Sequence, residues 1–182
     1  MKLSTAGRKK MKSNKKYTTQ TFTKRVDHEG GAHVGAKALT EPAVCKICGA
    51  IYSGRRWRLW EPQDALDRHN LLKPQHKTVC PACKQVGEGV VGGYLSIDGA
   101  FLGSHRSEIT SLISNETRRA AEDNPLSKIM NWSDGPDRVD IETTTEHLAQ
   151  RLGHALEKAF DGKATYKFSH ENKVARVNWH RD

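Results

Sequence analysis

Four cysteines constrain this chain more than any other feature. Cys45, Cys48, Cys80 and Cys83 form two Cys-x-x-Cys pairs, Cys45-Lys46-Ile47-Cys48-Gly49 and Cys80-Pro81-Ala82-Cys83-Lys84, and there is no other cysteine. Each pair aims two thiolates at one point, and two pairs complete a tetrahedron around Zn²⁺. Gly49 stands where such a knuckle needs a residue tolerant of positive φ. The loop from Gly49 to Val79 is longer than the usual zinc-ribbon spacing, but loop length costs little entropy once its ends are clipped. The competing readings are a redox dithiol, a disulfide pair and four unrelated buried thiols. No thioredoxin-like strand and helix flank either pair, and nothing marks secretion. One structural zinc, held by all four cysteines, is the expectation.

Charge is distributed unevenly. The net charge is +9, yet residues 84–182 carry thirteen Lys/Arg against fifteen acids. Residues 1–44 carry ten Lys/Arg against three acids, and residues 45–83 carry seven against three. A phosphate backbone is the commonest partner of such an asymmetry. No apolar run reaches the roughly 18 residues a membrane helix needs. The amino terminus lacks the apolar stretch of a secretory signal, so a reducing, cytoplasmic setting is expected.

Residues 1–26 contain no acid. With Arg8, Lys9, Lys10, Lys12, Lys15 and Lys16 and few apolar residues, they read as a disordered basic arm that orders on a polyanion such as RNA. A solvated tail and an organelle transit peptide are the alternatives. The glycines of residues 27–41 extend the loop, so the arm is drawn as 1–41.

A zinc-ribbon module is expected over 42–92. Val44 to Tyr52 reads as strand, knuckle and strand. Gly54-Arg55-Arg56-Trp57-Arg58-Leu59-Trp60 then mixes bases and aromatics most densely. Guanidinium groups pair with phosphates and an indole can stack on an unpaired base. Arg55, Arg56, Trp57 and Arg58 are therefore candidate RNA contacts, with Trp57 and Trp60 also suited to the small core of the module. A short helix is expected from Gln63 to Asn70, packed by Leu66, Leu71 and Leu72. His69 and His76 are expected to stay outside the metal site. Gly87-Glu88-Gly89-Val90-Val91-Gly92 matches G-x-G-x-x-G, but it follows a knuckle and leads into a strand, not from strand to helix. No nucleotide cofactor is expected, and the glycines read as a flexible junction.

Residues 93–182 read as an α+β domain. Tyr94 to Leu102 is a strand, and Ser104 caps a helix that stops at Asn124-Pro125. Two strands follow around Ser133-Asp134-Gly135-Pro136-Asp137. Thr143 and Glu146 fit a capping box for a helix ended by Asp161-Gly162. Thr165 to Ser169 and Val174 to Trp179 form a last hairpin. The order β-α-β-β-α-β-β is the ferredoxin-like split βαβ with one added strand. Tyr166, Phe168 and Trp179 are expected in the core or at an edge, with stacking on bases as the alternative, and His147 and His154 at the surface.

Cys80-Pro81-Ala82-Cys83 leading into a Gly/Tyr strand resembles the zinc-binding region of the large-ribosomal-subunit export adaptor family of archaea and eukaryotes, whose name abbreviates nonsense-mediated decay. Leu148-Ala149-Gln150-Arg151-Leu152, with Asp161-Gly162-Lys163 and two strands after it, is similar to a later part of that family. The resemblance implies a zinc-stabilised module that contacts ribosomal RNA without catalytic residues.

The expected function is thus a non-enzymatic, ribosome-associated zinc-ribbon protein that binds structured RNA, with ribosomal proteins as further partners and no membrane. The alternative is a protein–protein adaptor on the transcription or translation machinery. An enzyme is not expected, because two complete pairs saturate Zn²⁺ and leave no position for water. Ser-His-Asp spacing, a P-loop and H-E-x-x-H are also missing.

Overall fold

The computed structural model describes residues 39–65, 68–71, 73, 76–169 and 174–182. These all fall within one compact unit, Ala36–Asp182. The basic arm up to residue 38, with His28 and His33, and also Leu66, Leu72 and the Glu171-Asn172 turn, lie outside the described residues. The described part is α+β, with two sheets that mix parallel and antiparallel pairings.

The first sheet carries strands β1 (Ala43–Cys45), β2 (Ile51–Ser53), β3 (Arg56–Arg58) and β4 (Lys77–Thr78), ordered β3-β2-β1-β4. β1 and β2 run antiparallel around the first knuckle, which Cys45 N–H closes on Ala50 O at 2.8 Å. Gly49 turns the knuckle with φ of 77°, a backbone that a side chain disfavours. The β2–β3 hairpin turns on Gly54 and Arg55, with φ of 60° and 63°; two positive φ values suit the right-handed twist of a two-residue hairpin. β4 returns parallel to β1, pairing Cys45 with Thr78, and so carries the second cysteine pair to the first.

The helix expected over Gln63–Asn70 is instead a 3₁₀ turn, Pro62–Ala65, and a four-residue helix α1, Arg68–Leu71. Leu71 packs on Val44 and Ile51. The glycine run also differs from a flexible junction. Helix α2 (Pro81–Glu88) includes Gly87 and ends on Gly89, and Gly93 is the first residue of strand β5. Pro81 explains the helix: at its first position the fixed φ is favourable and the missing N–H costs nothing.

The second sheet holds β5 (Gly93–Asp98), β6 (Ile129–Asp134), β7 (Arg138–Thr143), β8 (Lys163–Ser169) and β9 (Val174–His180), with helices α3 (Ala100–Asp123) and α4 (Glu146–Phe160) between them. The element order is the expected one, but the sheet order is β6-β7-β5-β9-β8. In a split βαβ the strand after the second helix lies antiparallel beside the first strand. Here β9 takes that place, parallel to β5, and β8 is displaced to the edge. Burial accounts for the exchange. Ala175, Val177 and Trp179 of β9 are at most 1% exposed, whereas Lys163, Thr165, Lys167 and Ser169 make β8 polar on its other face.

The helices share one core with the sheet. Leu95, Ile97, Val139, Ile141, Val177 and Trp179 face Ile109, Ile113, Leu148, Leu152 and Leu156. α3 starts at Ala100, earlier than Ser104, and kinks at His105, where φ is −117° and ψ 17°. Thr145, not Thr143, caps α4, its Oγ1 accepting from Leu148 N–H at 3.3 Å. Trp179 is fully buried and donates through Nε1 to Asp161 O at 2.9 Å. Tyr166 is half-buried beside Glu157 and His154, while Phe168 stays 52% exposed.

Candidate metal centre

The four cysteines converge. Their Sγ atoms all lie within 4.8 Å of one another, and none is in a disulfide. Cys48 Sγ and Cys80 Sγ are 3.7 Å apart. Tetrahedral Zn–S bonds of about 2.3 Å place their sulfurs about 3.8 Å apart, whereas a disulfide needs about 2.05 Å. The donor set therefore fits one four-coordinate metal ion. Cys45, Cys80 and Cys83 are buried and Cys48 is exposed at the rim. His69 and His76 take no part in the cluster; His76 Nδ1 instead meets Pro42 O at 2.8 Å.

The two pairs reach the site by different local structures. Cys45 ends β1 and Cys48 follows in its turn, whereas Cys80 is the N-cap of α2 and Cys83 lies in its first turn. Cys80 Sγ accepts from Cys83 N–H at 3.4 Å, and Cys45 Sγ accepts from Cys80 N–H at 3.3 Å. Lys46 N–H donates to Thr78 O at 2.8 Å, which ties the knuckle to β4.

Burial raises the Cys45 thiol, but backbone N–H groups of Cys48, Cys80 and Ile47 outweigh it and bring the pKa down to about 6. Burial drives Cys80 and Cys83 upward. A cation held by all four sulfurs would have to displace the protons that burial favours on Cys80 and Cys83.

The sequence gives no sign of the neighbours that the second sheet brings to the cluster. Lys128, next to β6, points Nζ at Cys83 Sγ, 3.5 Å away. Burial lowers the Lys128 pKa, yet Cys48, Cys83 and Cys80 reverse the shift and leave it raised. Leu126 packs against the same cluster with Val79 and Trp57. Lys128 and Leu126 lie more than 40 positions downstream of Cys83, so no local spacing marks them.

The basic hairpin adjoins this centre. Glu41 carboxylate oxygens accept from Gly54 and Arg55 N–H at 2.7 and 3.0 Å, fixing the turn. Arg55 and Arg56 are exposed at its tip. Trp57 is half-buried, 5.4 Å from the Tyr52 ring. Arg58 is engaged in a bidentate pair with buried Asp64, at 2.5 and 2.7 Å. The structure thus presents Arg55 and Arg56 outward, and turns Trp57 and Arg58 toward the protein. Arg8, Lys9, Lys10, Lys12, Lys15 and Lys16 lie outside the described residues.

Comparison of the chain with protein-family models, curated proteins and solved structures gives no match. Among the described residues, no helix is long and apolar enough to cross a membrane.

Proposed function

We infer that this is a non-enzymatic protein in which one structural Zn²⁺ on Cys45, Cys48, Cys80 and Cys83 holds a zinc-ribbon module for binding structured RNA, ribosomal RNA foremost. The observation that carries the reading is the presentation of Arg55 and Arg56 on a hairpin clamped by Glu41 and built on the metal-bearing sheet. Guanidinium groups carried on a clamped hairpin backbone suit a defined phosphate geometry. The basic arm of residues 1–41, with Arg8, Lys9, Lys10, Lys12, Lys15 and Lys16, adds affinity that is indifferent to sequence. Four thiolates fill the coordination of Zn²⁺ and leave no place for a reacting water, which supports a structural role. Membership of the export adaptor family and a cytoplasmic, ribosome-associated setting complete this proposal.

One observation favours the protein-adaptor reading. Ile47 at the knuckle tip is 64% exposed, with Leu59 at 43% and Trp60 at 37% in the same module. Such apolar exposure fits a protein contact. Co-sedimentation with ribosomes, with and without RNase, separates the two. RNase-sensitive association supports RNA docking, and RNase-resistant association supports the adaptor.

A further inference from the structure

Resting on the reading of the four-thiol cluster as a zinc centre, we propose that Lys128 is its outer-sphere partner. The Lys128 ammonium donates to Cys83 Sγ, offsets part of the centre's negative charge and ties metal binding to the second sheet.

The geometry is built from both sides. Thr144 Oγ1 accepts from Lys128 N–H at 2.9 Å, and Thr144 N–H donates to Lys128 O at 2.9 Å. Thr144 Oγ1 also donates to Leu126 O at 2.6 Å. The backbone of Lys128 is thus pinned to the β7–α4 junction, while its side chain crosses to Cys83 Sγ at 3.5 Å. A divalent ion with four thiolates carries two net negative charges. Three of these cysteines are buried, where water screens that charge poorly. A fixed ammonium beside one sulfur lowers the cost of assembling the dianion. It also draws electron density from Cys83, making that thiolate a weaker nucleophile. Groups that hydrogen-bond metal ligands typically change metal affinity by about 10- to 100-fold when removed.

The test uses the full chain, with Lys128→Met and Lys128→Arg as variants. Zn²⁺ affinity is measured by chelator competition, and iodoacetamide alkylation of Cys83 in the zinc-loaded protein is followed by mass spectrometry. Lys128→Met is expected to lose about 10- to 100-fold in affinity and to alkylate faster at Cys83, with Lys128→Arg restoring most of both. Wild-type affinity and alkylation in Lys128→Met overturn the proposal. Should Lys128→Met not fold, acetylation of the wild-type zinc protein decides. Slower labelling of Lys128 than of exposed Lys84 supports the contact, and equal labelling overturns it. A wild-type chain that takes up no Zn²⁺ removes the zinc reading itself, whereas zinc uptake indifferent to Lys128 removes only this inference.

Discussion

Gln85 Nε2 donates to Thr144 O across 2.7 Å, joining helix α2, two residues past the last cysteine, to the β7–α4 junction. Thr144 is the residue that also pins Lys128, so one junction holds both links between metal module and second sheet. Gln85→Ala is expected to destabilise the protein by about 0.5–1.5 kcal/mol, the usual net worth of one hydrogen bond. Urea denaturation checks this, and an unchanged midpoint with unchanged slope counts against a coupled pair of sheets.

The passage between the sheets depends on close backbone approach at Gly92. Gly92 N–H donates to Thr143 O at 2.9 Å, and Ala175 N–H donates to Gly92 O at 3.2 Å. A Cβ at Gly92 would meet Thr144 O at 2.3 Å and Thr144 C at 2.8 Å, both main-chain atoms. Gly92→Ala should therefore cost on the order of 1–3 kcal/mol through overpacking. Gly87→Ala, where an added Cβ would meet nothing beyond its own helical turn within 4 Å, should be neutral or slightly stabilising, since alanine is the better helix former. Thermal melts of the two variants side by side give the comparison.

Arg58 and Asp64 give a pH signature. The Arg58 guanidinium holds the Asp64 carboxyl down at about 2, against the upward pull of burial and with help from Glu61 N–H. The folded value lies below the ordinary 3.8, so the stabilisation is fully present above that pH. It is lost as pH falls through about 2. Arg58→Ala should cost roughly 1–3 kcal/mol at neutral pH by stranding a buried carboxylate. Asp64→Asn should be destabilised at pH 7 and approach the wild type in stability as the pH is lowered through this window. A constant gap between the two denaturation curves would contradict the pairing.

Much of this arrangement was legible in the residues. The two Cys-x-x-Cys pairs located the cluster because their chemistry is local, and Ser133 to Asp137 located a turn for the same reason. Turn signals such as Ser133 to Asp137 placed the strands of the second sheet in their chain order. Strand neighbours were not legible, since β8 and β9 both alternate and only their burial against α4 assigns β9 the inner place. Arg58 illustrates the other limit. Its basic-aromatic surroundings suggested a phosphate contact, yet Asp64, six residues on, accepts hydrogen bonds from its two terminal guanidinium nitrogens. Lys128 and Thr144 carry no local signature, because only tertiary contact brings them to the cysteines.

Metal removal should divide the molecule unevenly. The first sheet has few buried side chains apart from the cysteines, whereas the second sheet encloses a core from Leu95 to Trp179. Zinc-site formation is worth on the order of 10–16 kcal/mol in small modules. Chelation should therefore release the amides of Val44 and Ile51 to hydrogen exchange, while those of Ile97 and Val177 keep their protection. Cys48→Ser should act in the same direction. Retained protection at Ile51 in a metal-free chain would contradict a metal-dependent ribbon.

Binding of structured RNA by the metal-held basic hairpin is measured by titrating the zinc-loaded full chain with a structured RNA and an unstructured one across salt concentrations. Binding is expected to be tighter to the structured RNA, with a logarithmic affinity that falls linearly with logarithmic salt. Arg55→Ala with Arg56→Ala should weaken binding, flatten that slope and erase the preference, as chelation should. Equal binding of both RNAs by wild type and double variant, or no RNA binding at physiological salt, would contradict it.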